Sequence, residues 1–273
     1  MRIKNFPAWL IFILIFPGAC NLSTSRELFS KARKLYDQGA YLEAIRNWEM
    51  ILSQAPQSKW ADDALHWIGI TYYIELNLPE RAVDTFSRLV KNYPDSQYAP
   101  QDQALVAEIL RARGEYARAL VEYYRYLKLF PDHPRTPQIW YQLITCLFEI
   151  GEYQTMRTQA DNFLKKHPNS PFADDCIFWI GESYFLQGKF DRAKQYFQSY
   201  LEKYPQGDFY LNSGINLARC YEEEGELEKA IEHYLQLLSR FPSNQVLNVR
   251  LEAVEKRYQK KYGKKYRRTT PEK

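Results

Sequence analysis

The sequence has few of the residue types that metal and catalytic sites depend on. It contains four cysteines and four histidines in 273 residues, and none of them stand at the Cys-x-x-Cys or His-x-x-x-His spacing of a metal site. Glycine is also scarce, with 11 residues, and no glycine-rich loop follows a strand-like segment, because no strand pattern is present. We therefore expect a non-enzymatic protein with no catalytic residues, no metal and no cofactor.

The sequence also lacks a hydrophobic run long enough to cross a bilayer. The apolar run from Phe6 to Phe16 follows Arg2 and Lys4 and precedes Gly18, Ala19 and Cys20. This order resembles a bacterial lipoprotein signal, although Pro17 stands where a leucine-like residue is usual. The resemblance implies a signal peptide over 1–19, lipidation at Cys20 and a lipidated linker over 20–24. Asn21 after the cysteine, where an aspartate would differ, resembles the pattern of outer-membrane sorting, which implies a location at the periplasmic face of the outer membrane. An uncleaved anchor and a plain secretory signal remain alternatives.

What the sequence does contain is a motif repeated six times: a small residue, a large apolar residue and then a proline. Successive prolines are 38, 37, 37, 37 and 37 residues apart, and a fixed period in this range indicates a repeat protein. A glycine, or once an asparagine, precedes each motif. In the fourth copy the small and large residues exchange places, at Met156 and Ala160. The prolines are Pro56, Pro94, Pro131, Pro168, Pro205 and Pro242.

One repeat shows what the spacing means. Ile177, Ile180 and Tyr184 recur at three- and four-residue steps, which is typical of one buried helix face. Gly188 ends that helix, and a second helix follows until Pro205, which lacks the N–H needed to continue it. Such a helix hairpin cannot cover its own apolar face, so neighbouring hairpins must stack. The sequence therefore predicts an all-α solenoid of about six helix hairpins. The single interval of 38 places an extra residue in the turn around Asn77.

The fifth repeat resembles the tetratricopeptide repeat family at the spacing of Ile177, Gly181, Ala193, Phe197 and Pro205. Three residues are added to that family's period after each proline. In four repeats the added segment brings an aromatic residue four positions past the proline, and Arg135 is the exception. We interpret these aromatics as structural contacts between hairpins. They are Trp60, Tyr98, Phe172 and Phe209.

The chain divides into a solenoid and a basic end. We assign 25–245 to the solenoid, 246–262 to a capping helix with a stripe of apolar residues, and 263–273 to a disordered tail. Between Cys20 and Glu255 acidic residues outnumber basic ones, whereas the stretch 256–268 has eight basic residues in thirteen. Such a tail is consistent with a solvated end, with contact to anionic lipid, or with docking to an acidic partner. Its candidate residues are Lys260, Lys261, Lys264, Lys265, Arg267 and Arg268.

Three cysteines follow Cys20. Cys146 and Cys220 occupy equivalent positions two repeats apart, and Cys176 is offset from Cys146 by about 10 Å along parallel helices. Because a disulfide needs Cα atoms within about 7 Å, we predict that all three remain buried thiols.

A partner-binding groove is the candidate functional site. The resemblance implies that the first helix of each hairpin lines a concave face, and residues one step off the buried stripe would face that groove. Aromatic and arginine side chains there are typical of protein recognition, although packing against adjacent hairpins is the alternative for each of them. The predicted groove residues are Phe29, Arg33, Tyr36, His66, Tyr73, Arg111, Tyr141, Phe148, Phe178 and Phe185.

Two segments carry resemblances to particular lipoprotein and periplasmic families. The run 98–105, with Phe130 to Pro134, resembles the BamD family of outer-membrane protein assembly, which implies a lipid-anchored scaffold that binds a partner or client protein. The run Trp179 to Tyr184, with Ala173 and Asp174, resembles the YbgF family. That resemblance implies a cell-envelope coordinator acting with Tol-Pal or with peptidoglycan enzymes. A peptidoglycan-modifying enzyme is the alternative from another class. Nucleic acid is not expected as a partner.

Overall fold

Helices account for the regular structure of residues 18–267, which are the residues that the computed structural model describes. Thirteen α-helices follow one another in this part of the chain, which contains no strand. They are α1 Gly18–Asp37, α2 Tyr41–Gln54, α3 Ala61–Ile70, α4 Pro79–Asn92, α5 Ala99–Ala112, α6 Tyr116–Leu129, α7 Thr136–Glu149, α8 Tyr153–Lys166, α9 Ala173–Leu186, α10 Phe190–Lys203, α11 Tyr210–Glu223, α12 Leu227–Arg240 and α13 Gln245–Tyr262. The predicted all-α hairpin solenoid is confirmed.

The turns inside the hairpins have the backbone geometry that glycine permits. Gly188, between α9 and α10, has a φ of 69°, and Asn77 is the one described non-glycine residue with a positive φ, at 50°. Asparagine tolerates this left-handed conformation better than other residues with a side chain. The same conformation recurs at Gly39, Gly114, Gly151 and Gly225. The predicted hairpin turns are therefore confirmed.

Each second helix ends two residues before a proline. Tyr204, before Pro205, has a φ of −126° and a ψ of 64°, outside the helical region, although its N–H still bonds the carbonyl oxygen of Tyr200. A residue before proline avoids the helical conformation because the proline ring clashes with its backbone and Cβ. The proline thus acts through the residue before it as well as through its missing N–H.

Small residues allow the helices of one hairpin to approach closely. A Cβ placed on Gly181 would lie 2.9 Å from Cε1 of Phe197, and one placed on Gly69 would overlap the ring of Phe86. Phe86 and Phe197 are fully buried. The two helices of the fifth hairpin therefore approach closely at Gly181, and Gly69 repeats this contact in the second hairpin.

The extra residue of the second hairpin lies in a helix and not in the turn. Thr71–Glu75 form a π-helical segment directly after α3, in which the Leu76 N–H bonds the Thr71 carbonyl oxygen at 3.0 Å. A π turn holds one residue more than an α turn. The expectation of a longer turn around Asn77 is thus corrected, because a widened helical turn absorbs the insertion.

The chain forms two compact units that divide between Arg113 and Gly114. Unit 1 contains α1–α5, and its core includes Trp48, Ile51 and Ile68. Unit 2 contains α6–α13, and its core includes Phe197 and Tyr234. In unit 2, α13 packs against α12 and buries Leu247, Leu251, Val254 and Tyr258.

Cys146, Cys176 and Cys220 are buried thiols, as predicted. Burial raises the pKa of Cys176, and it raises the pKa of Cys220 to about 12. Thiols of this kind are unreactive because reaction requires the thiolate.

Several predictions concern residues that the structure does not describe. The signal peptide falls mostly on 1–17, and Arg268 with the last five residues also lies outside the described part. Residues 20–24 belong to α1, but the side chain of Cys20 is not among those described. No helix between 18 and 267 is long and apolar enough to span a membrane.

Candidate functional site: the first-helix walls

The predicted groove residues are divided between the two units. Phe29, Arg33, Tyr36, His66, Tyr73 and Arg111 lie in unit 1, and Tyr141, Phe148, Phe178 and Phe185 lie in unit 2. Each unit therefore presents its own wall, formed by its first helices: α1, α3 and α5 in unit 1, and α7, α9 and α11 in unit 2.

Stacked rings join one first helix to the next. The Phe178 and Phe209 rings are nearly parallel, with centroids 4.2 Å apart, and His66 stacks on Tyr98 at 4.0 Å. Phe29 with Trp60 and Tyr141 with Phe172 repeat this arrangement at 5.1 and 4.9 Å. The four aromatics that follow a proline are therefore structural contacts, as interpreted from the sequence. Four of the ten predicted groove residues are their stacking partners.

In unit 1 the wall is centred on Trp67. The Arg33 guanidinium lies 3.7 Å from the centroid of the Trp67 ring, within cation–π range. Tyr36 packs edge-on against Trp67 and donates a hydrogen bond to Glu75 Oε1 at 2.6 Å. Burial, reinforced by this bond to Glu75, raises the pKa of Tyr36 to about 12. Tyr73 and Arg111 are half-buried.

His66 is an interior residue and does not belong to an exposed wall. Its side chain is 8% exposed, and Nδ1 lies 2.8 Å from Oδ1 of Asp102, which is fully buried. Burial raises the pKa of Asp102, whereas the hydrogen bond with His66 opposes this. The prediction that His66 faces the groove is therefore wrong. A buried polar side chain needs a hydrogen-bond partner, and the Asp102 carboxylate on α5 allows His66 to be buried.

In unit 2 the wall is centred on Trp179, a residue that sequence reasoning missed. Its indole Nε1–H donates to the Tyr141 hydroxyl at 3.2 Å, and its ring lies 4.7 Å from Phe148. All three side chains are half-buried, so an edge of each remains accessible. Burial raises the pKa of Tyr141. A signal was available in the sequence, because Trp67 and Trp179 occupy the same position of the repeat.

A group of polar side chains links α9 and α11. Asn216 on α11 donates a hydrogen bond to Glu182 on α9, and Arg219 Nη1 donates to Asn216 Oδ1 at 3.0 Å. The Arg219 guanidinium also lies 4.4 Å from the centroid of Phe185. Burial raises the pKa of Glu182, and the nearby charge of Arg219 opposes that rise. We call the half-buried residues Tyr141, Phe148, Trp179, Glu182 and Arg219 the unit 2 wall, and the buried Asn216 links Glu182 to Arg219.

Phe178 and Phe185 lie beneath this wall. They are 4% and 8% exposed and belong to the core of unit 2. Arg219 covers Phe185, which also packs against Phe190. Both side chains pack against adjacent helices, which was the alternative left open for them, so they support the wall without forming its surface.

The basic end contacts its own unit. The Tyr258 hydroxyl donates to Glu228 at 2.8 Å, and Tyr266 lies 3.5 Å from Glu232. Lys261 donates to the carbonyl oxygen of Gly225 at 3.0 Å. Lys260 and Lys261 are exposed on α13, and Lys264, Lys265 and Arg267 are exposed beyond it. The tyrosines thus face acidic residues of α12, and several lysines stay in solvent.

No group of three potential metal ligands lies close together among the residues that the structure describes. The arrangement of the unit 2 wall suits contact with another molecule, because it combines rigid ring edges with a guanidinium that has further N–H donors.

Comparisons with known proteins agree with the fold. The sequence profile of the tetratricopeptide repeat matches residues 63–96, 138–170, 175–207 and 215–244. The chain carries tetratricopeptide repeats. A tetratricopeptide repeat protein from Parabacteroides merdae is 16% identical over 88% of this chain and 89% of its own, with a TM-score of 0.52. Residues 41 to the end of MamA from Desulfovibrio magneticus RS-1 are 16% identical over 67% and 97%, with the same TM-score. At this identity the likeness concerns the fold alone. No curated protein matches the sequence.

Proposed function

We propose that this chain is a non-enzymatic scaffold that binds a partner or client protein on the unit 2 wall. The tetratricopeptide-type fold is a protein-interaction scaffold. The observation that carries the proposal is the cluster of half-buried aromatic rings at Tyr141, Phe148 and Trp179, together with Arg219, whose guanidinium covers Phe185. Aromatic and arginine residues contribute most of the binding free energy in many protein interfaces.

We further propose that the protein is a lipoprotein at the periplasmic face of the outer membrane. The support is in the sequence: two basic residues, a short apolar run and the Gly-Ala-Cys segment that ends at Cys20. Two acyl chains anchor a protein durably, whereas one chain binds only marginally. Cys20→Ser should abolish incorporation of labelled palmitate and move the protein from the membrane fraction to the soluble fraction. Labelled palmitate retained by Cys20→Ser would refute lipidation at this site.

The specific role that we propose is BamD-like, in outer-membrane protein assembly, on the resemblance of residues 98–105 and 130–134. The YbgF-like alternative is favoured by the run from Trp179 to Tyr184, which provides part of the unit 2 wall. The two roles differ in the protein that would occupy that wall.

Crosslinking in intact membranes tests the proposal. A photo-reactive phenylalanine analogue at position 148 should capture a partner, and the same analogue at Val121, which is exposed on α6, should not. Recovery of the outer-membrane assembly barrel supports the BamD-like role, and recovery of Tol-Pal components supports the alternative. Equal capture from positions 148 and 121 would reject the unit 2 wall as the binding site.

A further inference from the structure

Arg157, on α8 of unit 2, is a buried cation. The residue is 4% exposed, and its guanidinium lies 4.3 Å from the centroid of the Tyr184 ring on α9. Removing a charge from water is unfavourable, so buried cations are normally paired with carboxylates. The charge of the groups around Arg157 therefore shows whether its positive charge is neutralised within the protein.

The partners of Arg157 are neutral. Nη1 donates to Ser183 Oγ at 3.0 Å, and Nη2 donates to Gln154 Oε1 and Gln187 Oε1, both at 3.1 Å. Within residues 18–267 no carboxylate forms an ion pair with this guanidinium. These three hydrogen bonds account for three of the five N–H donors of the guanidinium.

A second cation reaches the same neutral oxygen. Lys189 Nζ donates to Gln187 Oε1 at 3.2 Å, so this amide oxygen accepts hydrogen bonds from both Lys189 and Arg157. An oxygen between two cations is where a negative charge would be most stabilised. Gln187 thus holds the position that an anionic oxygen would occupy.

The next hairpin shows the same arrangement with its counter-charge present. Lys194 is 37 residues after Arg157 and lies over Tyr221, as Arg157 lies over Tyr184. Lys194 forms ion pairs with Glu224 and with Asp191. Glu224 is 37 residues after Gln187. The chain therefore builds this cation site twice and provides the acidic partner at Glu224 in only one of them.

We propose that Arg157 and Lys189 form a binding site for a carboxylate group of another protein, such as an exposed aspartate or glutamate side chain. The incoming group would displace the exposed side chains of Gln154 and Gln187 and replace neutral hydrogen bonds with charge-assisted ones, which are about twice as strong. The planar guanidinium favours the planar carboxylate because both can form two parallel hydrogen bonds.

This site is separate from the unit 2 wall. The two sites share no residue. Arg157 lies on α8, and Gln187 and Lys189 lie in the turn between α9 and α10, whereas the wall residues lie on α7, α9 and α11. A failed crosslinking experiment at position 148 would therefore not contradict the carboxylate site. Loss of the carboxylate site would likewise not contradict binding at the unit 2 wall.

Thermal unfolding in acetate tests the site with a simple carboxylate. We compare the purified full-length protein in acetate and in chloride at the same pH and ionic strength. Acetate at several times its dissociation constant should raise the Tm by about 2–4 °C over chloride. Gln187→Glu supplies the carboxylate internally, as Glu224 does for Lys194. It should raise the Tm in chloride and remove the response to acetate.

A reciprocal variant and a second anion complete the test. Glu224→Gln should create a second acetate response at Lys194 without changing the first. An unchanged Tm of the natural protein in acetate would overturn the proposal, as would a full acetate response in Gln187→Glu. A response to inorganic phosphate that exceeds the response to acetate would overturn the assignment to carboxylates.

Discussion

At the scale of single residues, stability depends on side-chain size at close helix contacts and on the burial of charged groups. Gly69 and Gly181 lie where an aromatic ring of the second helix crosses the first, and Glu182 is a carboxylate partly removed from water. The first feature limits side-chain size, and the second makes stability depend on pH. Each feature gives a prediction that substitutions can test.

Gly69→Ala should destabilise the protein by about 1–3 kcal/mol because the added methyl group overlaps the Phe86 ring. Gly181→Ala should have a smaller effect, since its Cβ would meet the Phe197 ring at 2.9 Å and the ring edge can shift slightly. Urea unfolding measures both. A stabilised Gly69→Ala variant would mean that helix propensity outweighs packing at this position.

Glu182→Gln should alter how stability depends on pH. The pKa of Glu182 is raised in the folded state by burial, so its contribution to stability is present at pH values below its unfolded pKa. That contribution is lost as the pH rises through the folded-state pKa. The variant should therefore gain stability relative to the natural protein as the pH rises above the unfolded pKa of a glutamate, about 4.3. Urea unfolding across this range checks the trend, and a constant difference would contradict it.

At the scale of helices, the repeated contact is the stacked pair between successive first helices. Phe178 lies on α9, and Phe209 is the residue directly before α11, so their stack links two hairpins of unit 2. The residue before a first helix thus has a packing role in addition to starting the helix.

A double-mutant cycle measures this link. Phe178→Leu and Phe209→Leu should each destabilise unit 2, and their coupling free energy should be about 0.5–1.5 kcal/mol, as for other aromatic pairs. A cycle of Phe209 with the exposed Val121 should be additive. Equal coupling in the two cycles would show that the stack contributes nothing specific.

The turns and helix ends could be predicted from the sequence because local backbone chemistry sets them. The exposure of single positions beside the buried stripe could not, because it depends on how each helix is rotated. The turn at Gly188 and the helix end before Pro205 follow from local conformational limits. His66 and Phe178 occupy equivalent positions and are buried, whereas Trp179, one residue after Phe178, is half-buried, because one residue step turns a helix face by about 100°. A position next to the buried stripe can therefore face either the core or the solvent. Whether such a position is buried depends on the residues that pack against it from another helix. Asp102 on α5 is such a residue for His66 on α3.

At the scale of the whole molecule, the chain forms two compact units although its motif is continuous. The boundary falls at Gly114, whose turn has the same left-handed conformation as the other hairpin turns. The motif therefore gave no indication of the division. The one irregularity in the sequence near this point is Arg135, which replaces the aromatic residue before α7.

Residues 114–273 should fold without unit 1. A solenoid is stabilised by each repeat and its neighbours, so a fragment that keeps a whole unit keeps its contacts. We expect cooperative, helical unfolding of this fragment by circular dichroism. A fragment of 151–273, which loses the buried Leu143 and Leu147 of α7, should be clearly less stable. An unfolded 114–273 fragment would show that the two units depend on each other for folding.

The π-helical segment Thr71–Glu75 bears on how such an array can evolve. One additional residue entered the second repeat, and a widened turn accommodates it before the hairpin turn at Asn77. The four later intervals all kept their length of 37 residues. A one-codon insertion in this position therefore stays local to its repeat. Such an insertion changes the side-chain positions on one helix, and the later repeats keep their 37-residue spacing.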